Sequence, residues 1–464
     1  MDIPKTIIYF AALNHKRFIN MKKCVSLLLA LSLFSCANEE PIKLDSQSSP
    51  DDAIASGIDI NRRSGEEAIA LAKAMTNQLY PQSAVSRSSD VTVSLEAITT
   101  PNSRGTDADT LIYVVNYEDN QGYVLVSAPR HATPILAVVD KGNYNPETGS
   151  DNPGLNFFLD AAREYVASTN SGNISIGGDT IPRKPDPDDM HPAFDGYTEI
   201  VTHWGSPDNW HLRSQWGQKN IYGQFCPNKI AGCAPVAIGS ILAYFNFREE
   251  NANGSMNYKM NYTFPERDID SEIIDWIEVY RHWSIYYPYL YKLPDGTTEL
   301  REIEEVCWAH DKESTHNTIG RLLRQIGVMC KTDHSKPNES STKKSNAKKA
   351  IEKLFPGLMI SGYNKFDSKT VMRSIDYGLL FMAGSDHAWV ADGYEYIKWH
   401  SYNAEWDYTN KKWINQTNKY WESSLTHFRW GWYGVDDGFF EGNVFNAQGH
   451  TFKDLEYIAI MYNH

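Results

Sequence analysis

The segment that most constrains the fold is an apolar run that follows a Gly-Cys pair near the middle of the chain. Apolar side chains occupy most positions from Val236 to Phe245, which predicts a buried helix. Pro235 suits the first turn of a helix, because a proline lacks the N–H that would have no partner there. Cys233 is therefore predicted at or just before the amino end of this helix. Unpaired N–H groups and the helix dipole at that end favour a thiolate, the reactive form of cysteine.

One of the fourteen histidines has a context that suits it to act with this cysteine. His387 begins the run His-Ala-Trp-Val-Ala, which predicts a short strand leading into a hairpin turn at Asp392-Gly393. A sheet would hold the imidazole rigidly. A nucleophilic cysteine needs a base from elsewhere in the fold, and His387 is the candidate.

A third segment, residues 428–440, is a further alternating strand, rich in Trp and Gly, that leads into Asp-Gly-Phe-Phe. Taken in order, the Gly-Cys, His-Ala-Trp-Val and Trp-Gly-Trp segments resemble the streptopain family of cysteine peptidases, a bacterial branch of the papain-like fold. Residues 215–218 and 226–227 are similar to the family's approach to the nucleophile. Residues 111–142 resemble its inhibitory prodomain, so the resemblance covers most of the chain from about residue 60.

This resemblance implies both a fold and a set of roles. The fold class is α+β: a papain-like peptidase domain, in which a helix bearing the cysteine packs on an antiparallel sheet bearing the histidine, preceded by a smaller α+β prodomain. Cys233 matches the nucleophile and His387 the base. Gln218 matches the side-chain donor of the oxyanion hole, and Trp430 matches the aromatic that packs by the histidine. No cofactor and no metal is implied.

Three positions depart from the family pattern. Arg429 stands where the family commonly has Asn, and a cation near His387 would disfavour the imidazolium unless the side chain points away. Asp386 replaces the Gly that usually precedes the histidine. Tyr433 replaces a second Gly after Trp432. These departures bear on rate and substrate preference.

Several other interpretations stay open. Cys233 could form a disulfide with Cys226, and Gln218 could be a plain surface amide. The chain could be a catalytically impaired surface lipoprotein that uses the scaffold for binding, or a thiol amidase that acts on cell-wall peptides. Aromatic residues of the last third could form a glycan-binding platform or simply line the core or a groove. These are Trp399, Trp406, Trp413, Trp421, Trp430 and Trp432.

The amino-terminal region predicts export. Met21-Lys22-Lys23 precedes an apolar run of ten residues, too short to span a bilayer as a mature helix, which is typical of a secretory signal. The run ends in Leu-Phe-Ser-Cys36, which resembles the lipobox of bacterial lipoproteins. An ordinary signal peptide with a coincidental cysteine is the alternative. Either Met1 or Met21 could be the start.

The chain divides into five predicted segments. An upstream segment with the lipoprotein signal covers residues 1–35, and a polar tether covers 36–60. The prodomain (61–170) has a capped helix, a hairpin, a third strand and a second helix. A linker rich in Gly, Ser, Pro and Asp covers 171–192, and the peptidase domain covers 193–464; cleavage is expected within residues 171–200.

Charge and cysteine spacing exclude some partners. The chain has 44 basic and 58 acidic residues, a net charge of −14, which repels phosphate backbones and argues against nucleic-acid binding. No Cys-x-x-Cys pair occurs, so a zinc site is not indicated. We expect protein or peptide substrates, the chain's own prodomain as an inhibitor, and a lipid anchor in the outer membrane or cell surface.

Overall fold

A computed structural model describes residues 62–79, 92–100, 110–170, 197–210, 212, 214–253, 279, 288–292, 298–302, 313–407, 412–446 and 454–462. The predicted signal peptide, tether and linker, and with them Cys36 and Cys307, lie outside the described residues. In the described part of the chain, no helix has the length and apolar character needed to cross a membrane.

The described residues form helices and antiparallel strands. The helices are α1 (Gly65–Leu79), α2 (Pro153–Asn170), α3 (Cys233–Asn253), α4 (Glu313–Met329), α5 (Lys344–Leu354) and α6 (Ser368–Ile375). The strands up to β7 are β1 (Val93–Thr99), β2 (Thr110–Tyr117), β3 (Tyr123–Ser127), β4 (Ile135–Val139), β5 (Tyr197–Trp210), β6 (Pro288–Lys292) and β7 (Thr298–Glu302). The later strands are β8 (Met359–Ile360), β9 (Asn364–Lys365), β10 (Gly378–Gly384), β11 (His387–Asp407), β12 (Lys412–Arg429), β13 (Gly438–Glu441) and β14 (Glu456–Met461).

Helix α1 begins with the capping box that the sequence predicts. The Ser64 N–H donates to Glu67 Oε2 at 2.8 Å, and the Glu67 N–H donates to Ser64 Oγ at 3.2 Å. These bonds satisfy N–H groups that the first turn leaves without helical partners.

Strands β2 and β3 are buried along their whole length, because a helix covers each face of the prodomain sheet. Ala72 and Met75 of α1 pack on one face, and Phe158 and Leu159 of α2 pack on the other. The predicted hairpin, third strand and second helix are therefore confirmed. Strand β1, which the sequence pattern does not predict, lies at the sheet edge with most of its residues exposed.

One antiparallel sheet continues from the prodomain into the peptidase segment. The strand order is β1-β2-β3-β4-β13-β12-β11-β10-β14-β8 among the described residues. Strand β4 pairs with β13, with Gly438 opposite Val139 and Phe440 opposite Ala137. Gly438 allows this pairing, because a Cβ at that position would collide with the Val138 carbonyl.

Helix α3 is the buried helix that the sequence predicts, and Cys233 is its first residue. Its apolar side chains, such as Ile238 and Ile241, lie in a core shared with α4, α5 and strands β10, β11 and β14. A helix bearing the cysteine thus packs on an antiparallel sheet bearing His387, which confirms the predicted fold class.

The predicted hairpin turn at Asp392-Gly393 is wrong. Strand β11 runs through this dipeptide without reversing, and its pairing with β12 shifts register between Ala391 and Gly393. Asp392 is completely buried and paired, so the irregularity is a bulge that turns an acidic side chain inward.

Candidate active site

The loop before α3 places Cys233 at the surface of a cleft. Gly232 has a φ of +98°, a conformation that glycine adopts without strain, and the chain enters the helix at the next residue. The Cys233 side chain is half-buried, and the backbone N–H of Ala388 is among the groups that favour its thiolate. Since Ala388 follows His387 on β11, the start of the helix that carries Cys233 lies beside the strand that carries the histidine.

Helix position does not make Cys233 a thiolate in this form of the protein. Burial raises the pKa of the thiol, and it outweighs the opposite effect of the nearby backbone N–H groups of Ala388, Ala234 and Cys233 itself. The nearby carboxylate of Asp386 raises the pKa further. The favourable effect of the helix terminus that the sequence predicts is therefore exceeded here by desolvation.

A tight turn between β10 and β11 fixes His387. Gly384 pairs with His387, and the two residues between them, Ser385 and Asp386, both have positive φ, as a two-residue hairpin turn of right-handed twist requires. Asp tolerates this conformation better than most residues, which explains how it can stand in place of Gly. His387 is therefore held at the first position of a strand.

The His387 ring is buried and has one orienting hydrogen bond in the described part of the chain. Its Nε2 lies 2.9 Å from the Trp430 carbonyl oxygen. A carbonyl can only accept, so Nε2 carries the hydrogen and Nδ1 is left as the acceptor. The ring stacks on Trp389, with centroids 5.9 Å apart. Burial lowers the pKa of His387 to about 4, so the imidazole is neutral near pH 7.

Cys233 and His387 line the same cavity, which has a volume of about 410 Å³. Apolar side chains such as Phe381 form part of its wall, and residues of the 333–344 segment also line it. The cavity is large enough to receive side chains of an extended peptide. Its position places the substrate next to both reactive groups.

Gln218 and Trp430 both lie near this centre. The Gln218 carbonyl accepts the Ala231 N–H at 2.8 Å, so its backbone runs beside the loop that leads to Cys233; its side chain is half-buried. Trp430 is completely buried and packs on Trp389, with centroids 5.0 Å apart. Trp389 provides the ring against the histidine, and Trp430 provides the carbonyl that orients it.

Comparison with known families decides what this arrangement is. Residues 216–440 match the model of the peptidase C10 family, which is the streptopain family. Residues 60–166 match the Spi protease inhibitor model. The chain therefore has a C10 cysteine peptidase domain. It carries its own inhibitor-like prodomain, so the predicted family resemblance is confirmed.

The comparisons with solved structures and with curated proteins give less information about the family than the family models do. One similar structure is a fragment of prointerpain A from Prevotella intermedia, determined as a cysteine-to-alanine mutant. It is 17% identical, the match covers 80% of this chain and 100% of that chain, and the TM-score is 0.47. The search of curated proteins gave no match.

Arg429, the most conspicuous departure of this C10 domain, is turned away from the histidine. Its guanidinium is buried, donates to Asp437 Oδ2 at 3.1 Å, and lies 3.6 Å from Asp392 Oδ2. Burial lowers the pKa of Arg429, but the nearby carboxylates outweigh it and raise the pKa, so Arg429 remains a compensated cation. Arg429 does not cause the lowered pKa of His387, which comes from burial.

Tyr433 also has a structural role in this C10 domain. Its ring covers Gly217 so closely that no Cβ would fit there, and it packs on Tyr222 with centroids 5.6 Å apart. Its hydroxyl accepts the Lys219 N–H at 3.0 Å. Tyr433 therefore braces the segment that contains Gln218.

The prodomain holds the C10 domain through Asp436. This carboxylate accepts hydrogen bonds from Tyr123 at 3.0 Å, Ser150 at 3.2 Å and Asn152 at 3.4 Å. Asn152 also caps helix α2 by accepting the Gly154 N–H at 3.0 Å. One acidic side chain of the peptidase thus recognises three side chains of its inhibitor domain.

A second polar contact crosses the same boundary. His427 is completely buried, with Nδ1 2.6 Å from Asp392 Oδ1 and Nε2 3.2 Å from Asp140 Oδ2 of the prodomain. Burial would lower the pKa of His427, but the two carboxylates raise it to about 9. Sequence patterns do not single out His427 or Asp140, and they place Asp392 in a turn, because nothing in the local spacing shows that the three residues meet.

The cysteines of the described residues are free. Cys226, Cys233 and Cys330 form no disulfide, so the alternative of a Cys226–Cys233 bridge is wrong for this form. Burial raises the pKa of Cys226 to about 11 and that of Cys330 to about 12.

Within the described part of the chain, no group of three or more His, Cys, Asp or Glu could hold a metal ion. Of the tryptophans that could form a glycan-binding platform, four have side chains outside the described residues: Trp399, Trp406, Trp413 and Trp421.

We expect the stability of the precursor to depend on the protonation of His427. Its pKa in the folded protein, about 9, is above the unfolded value of about 6.5. The stabilisation is therefore complete below pH 6.5 and is lost as the pH rises through 9. Urea unfolding of the Cys233→Ala precursor at pH 6.5 and pH 9.5 measures this loss. His427→Gln should reduce the difference between the two pH values; an unchanged difference would contradict the assignment.

Proposed function

We propose that this chain is the latent precursor of an exported cysteine endopeptidase that works through Cys233 and His387. The observation that carries the proposal is that Cys233, at the start of α3, and His387, at the start of β11, line the same cavity. It supports a nucleophile and a base brought together from distant parts of the sequence, as covalent catalysis requires.

The position of the hydrogen on the His387 ring indicates the role of this residue in the reaction. With Nε2–H donating to Trp430, Nδ1 is free to take the proton of the Cys233 thiol. The thiolate attacks the peptide carbonyl carbon, and the imidazolium then protonates the leaving amine. A thioester remains on Cys233, and a water activated by the same imidazole hydrolyses it.

The oxyanion of the tetrahedral intermediate needs donors on the other side of Cys233. We assign this role to the Cys233 backbone N–H at the start of α3 and to the Gln218 side chain. The bond between the Gln218 carbonyl and the Ala231 N–H supports the second donor, since it keeps Gln218 beside the nucleophile loop.

Latency follows from burial. In the precursor the thiol has a raised pKa and His387 a pKa of about 4, so neither group is charged near pH 7. Removal of the prodomain, whose Phe157 packs on the Trp389 ring that stacks on His387, should reduce this desolvation, so that a thiolate–imidazolium pair can form. Activation therefore requires more than cleavage of the linker.

Processing of the precursor tests the proposal. The wild type should convert to a shorter form by cleavage between about residues 171 and 200, and the product should digest denatured casein. Cys233→Ala should stay at full length until active enzyme is added, whereas Cys226→Ala, which changes a buried bystander, should process normally. Maturation of Cys233→Ala at the wild-type rate, or a wild type that digests peptidoglycan fragments and not casein, would rule against it.

We propose further that Cys36 carries the lipid that anchors the precursor, on the sequence evidence of the Leu-Phe-Ser-Cys motif after a signal-like run. The wild type should enter the detergent-extracted membrane fraction, and its mature amino terminus should have the mass of an acylated cysteine. Cys36→Ser should release the protein or block its maturation. A soluble wild type without lipid would exclude the anchor.

A further inference from the structure

The catalytic histidine stands at one end of a chain of hydrogen bonds, and a buried ion pair stands at the other. His387 Nε2 donates to the Trp430 carbonyl, and the Trp430 N–H donates to Asp437 Oδ1 at 2.8 Å. Arg429 Nη1 donates to the other oxygen, Asp437 Oδ2, at 3.1 Å. We propose that Asp437 is a positioning residue, which orients His387 through the backbone of Trp430. The inference rests on the proposed role of His387 in proton transfer.

Trp430 needs such support because it follows the last ladder pair of its strand. The pairing of β12 with β11 ends at Arg429 opposite Val390, and the chain turns away at Gly431 with a φ of +73°. Among the described residues, no neighbouring strand therefore sets the orientation of the Trp430 backbone. Asp437 holds its N–H, and its carbonyl is left to orient His387.

The ion pair gives Asp437 a single orientation. Both residues are buried, with Asp437 2% and Arg429 6% exposed. Arg429 also donates from Nη2 to the Leu212 carbonyl at 2.9 Å, so the guanidinium is fixed by a separate segment. A carboxylate suits the position because each of its two oxygens accepts one bond, and only an acid supplies two acceptors in this plane.

The first test is Asp437→Ala in enzyme that tagged wild type has activated in trans, with the tagged enzyme then removed. Loss of the acceptor should let the Trp430 carbonyl and His387 shift, and kcat should fall about a hundredfold, as for a misplacement of about 1 Å, with KM changed less than about threefold. The pH at which iodoacetamide alkylates Cys233 should rise, since a misplaced imidazolium stabilises the thiolate less.

A second pair of variants keeps the side-chain volume. Asp437→Asn has one oxygen for two donors, so Trp430 and Arg429 compete for it and kcat should fall about tenfold. Adding Arg429→Met removes the competing donor and leaves the amide oxygen for the Trp430 N–H. The double variant should therefore recover activity although it has lost a further buried contact. A folded double variant with no recovery would overturn the proposal.

A structural control separates positioning from general loss of stability. Val371 is completely buried in the core cluster that contains Trp430, and Val371→Ala should lower Tm without changing kcat or the alkylation profile. The inference fails if Asp437→Ala keeps kcat within threefold of the wild type, or if Val371→Ala reproduces both of its effects. A wild type without peptidase activity would instead refute the proposed function.

Discussion

Replacing His387 by alanine should lower kcat/KM of the activated enzyme about 10⁴-fold, near the upper end of what a general acid–base contributes. The substitution removes both the acceptor for the thiol proton and the donor for the leaving amine. Hydrolysis of a fluorogenic peptide after activation in trans measures the loss. His316→Ala is the matched control, because this histidine lies on α4, away from the residues that line the cavity.

The result shows whether His387 or another group transfers the proton. A loss of less than about tenfold would mean that another group transfers the proton, since a single catalytic base contributes at least about a hundredfold. A loss of the expected size with His316→Ala unchanged would assign the role to His387.

Replacing Gly154 by valine should release the enzyme from its prodomain. Gly154 lies in the first turn of α2, and a Cβ there would enter the Trp430 indole ring. Overpacking of this kind costs about 3 kcal/mol at the upper end of its usual range, which weakens binding about a hundredfold. The inhibition constant of the separate 61–170 fragment for the activated enzyme measures the effect.

The control for this variant is a glycine with free space around it. Gly362 has no positive φ, and no atom lies within 4 Å of the position that a Cβ would take, so Gly362→Ala in the peptidase should leave inhibition unchanged. Tight inhibition by Gly154→Val would show that α2 does not approach Trp430 as described. If the wild-type fragment also fails to inhibit the activated enzyme, the zymogen interpretation itself is wrong.

Local patterns in the sequence predict much of this fold because each depends on neighbouring residues. Ser64 and Glu67 predict the start of α1, and Pro235 with the apolar run after it predicts α3 beginning at Cys233. A local pattern misleads at Asp392-Gly393, where an Asp-Gly pair that suits a turn lies inside a strand. There, pairing with buried His427 and Arg429 outweighs the local preference.

The electrostatics of the site depend on partners that are distant in sequence. From the sequence alone, Arg429 next to Trp430 is expected to destabilise the imidazolium. In the structure, Asp437 and Asp392 lie against Arg429 and compensate its charge. His427 gains its raised pKa from Asp140 of the prodomain, almost 300 residues earlier. The pKa of Cys233 likewise follows from burial in the precursor, which no local motif encodes.

The most direct test of the account is the order in which limiting iodoacetamide labels the cysteines at mildly acidic pH, before and after removal of the prodomain. In the activated enzyme Cys233 should be labelled ahead of Cys226 and Cys330, whose buried thiols have raised pKa values. In the precursor Cys233 should react slowly, and His387→Ala should abolish its lead in the activated form. Equal labelling of the three cysteines after activation, or a Cys226–Cys233 disulfide in the active protein, would contradict a Cys233–His387 peptidase.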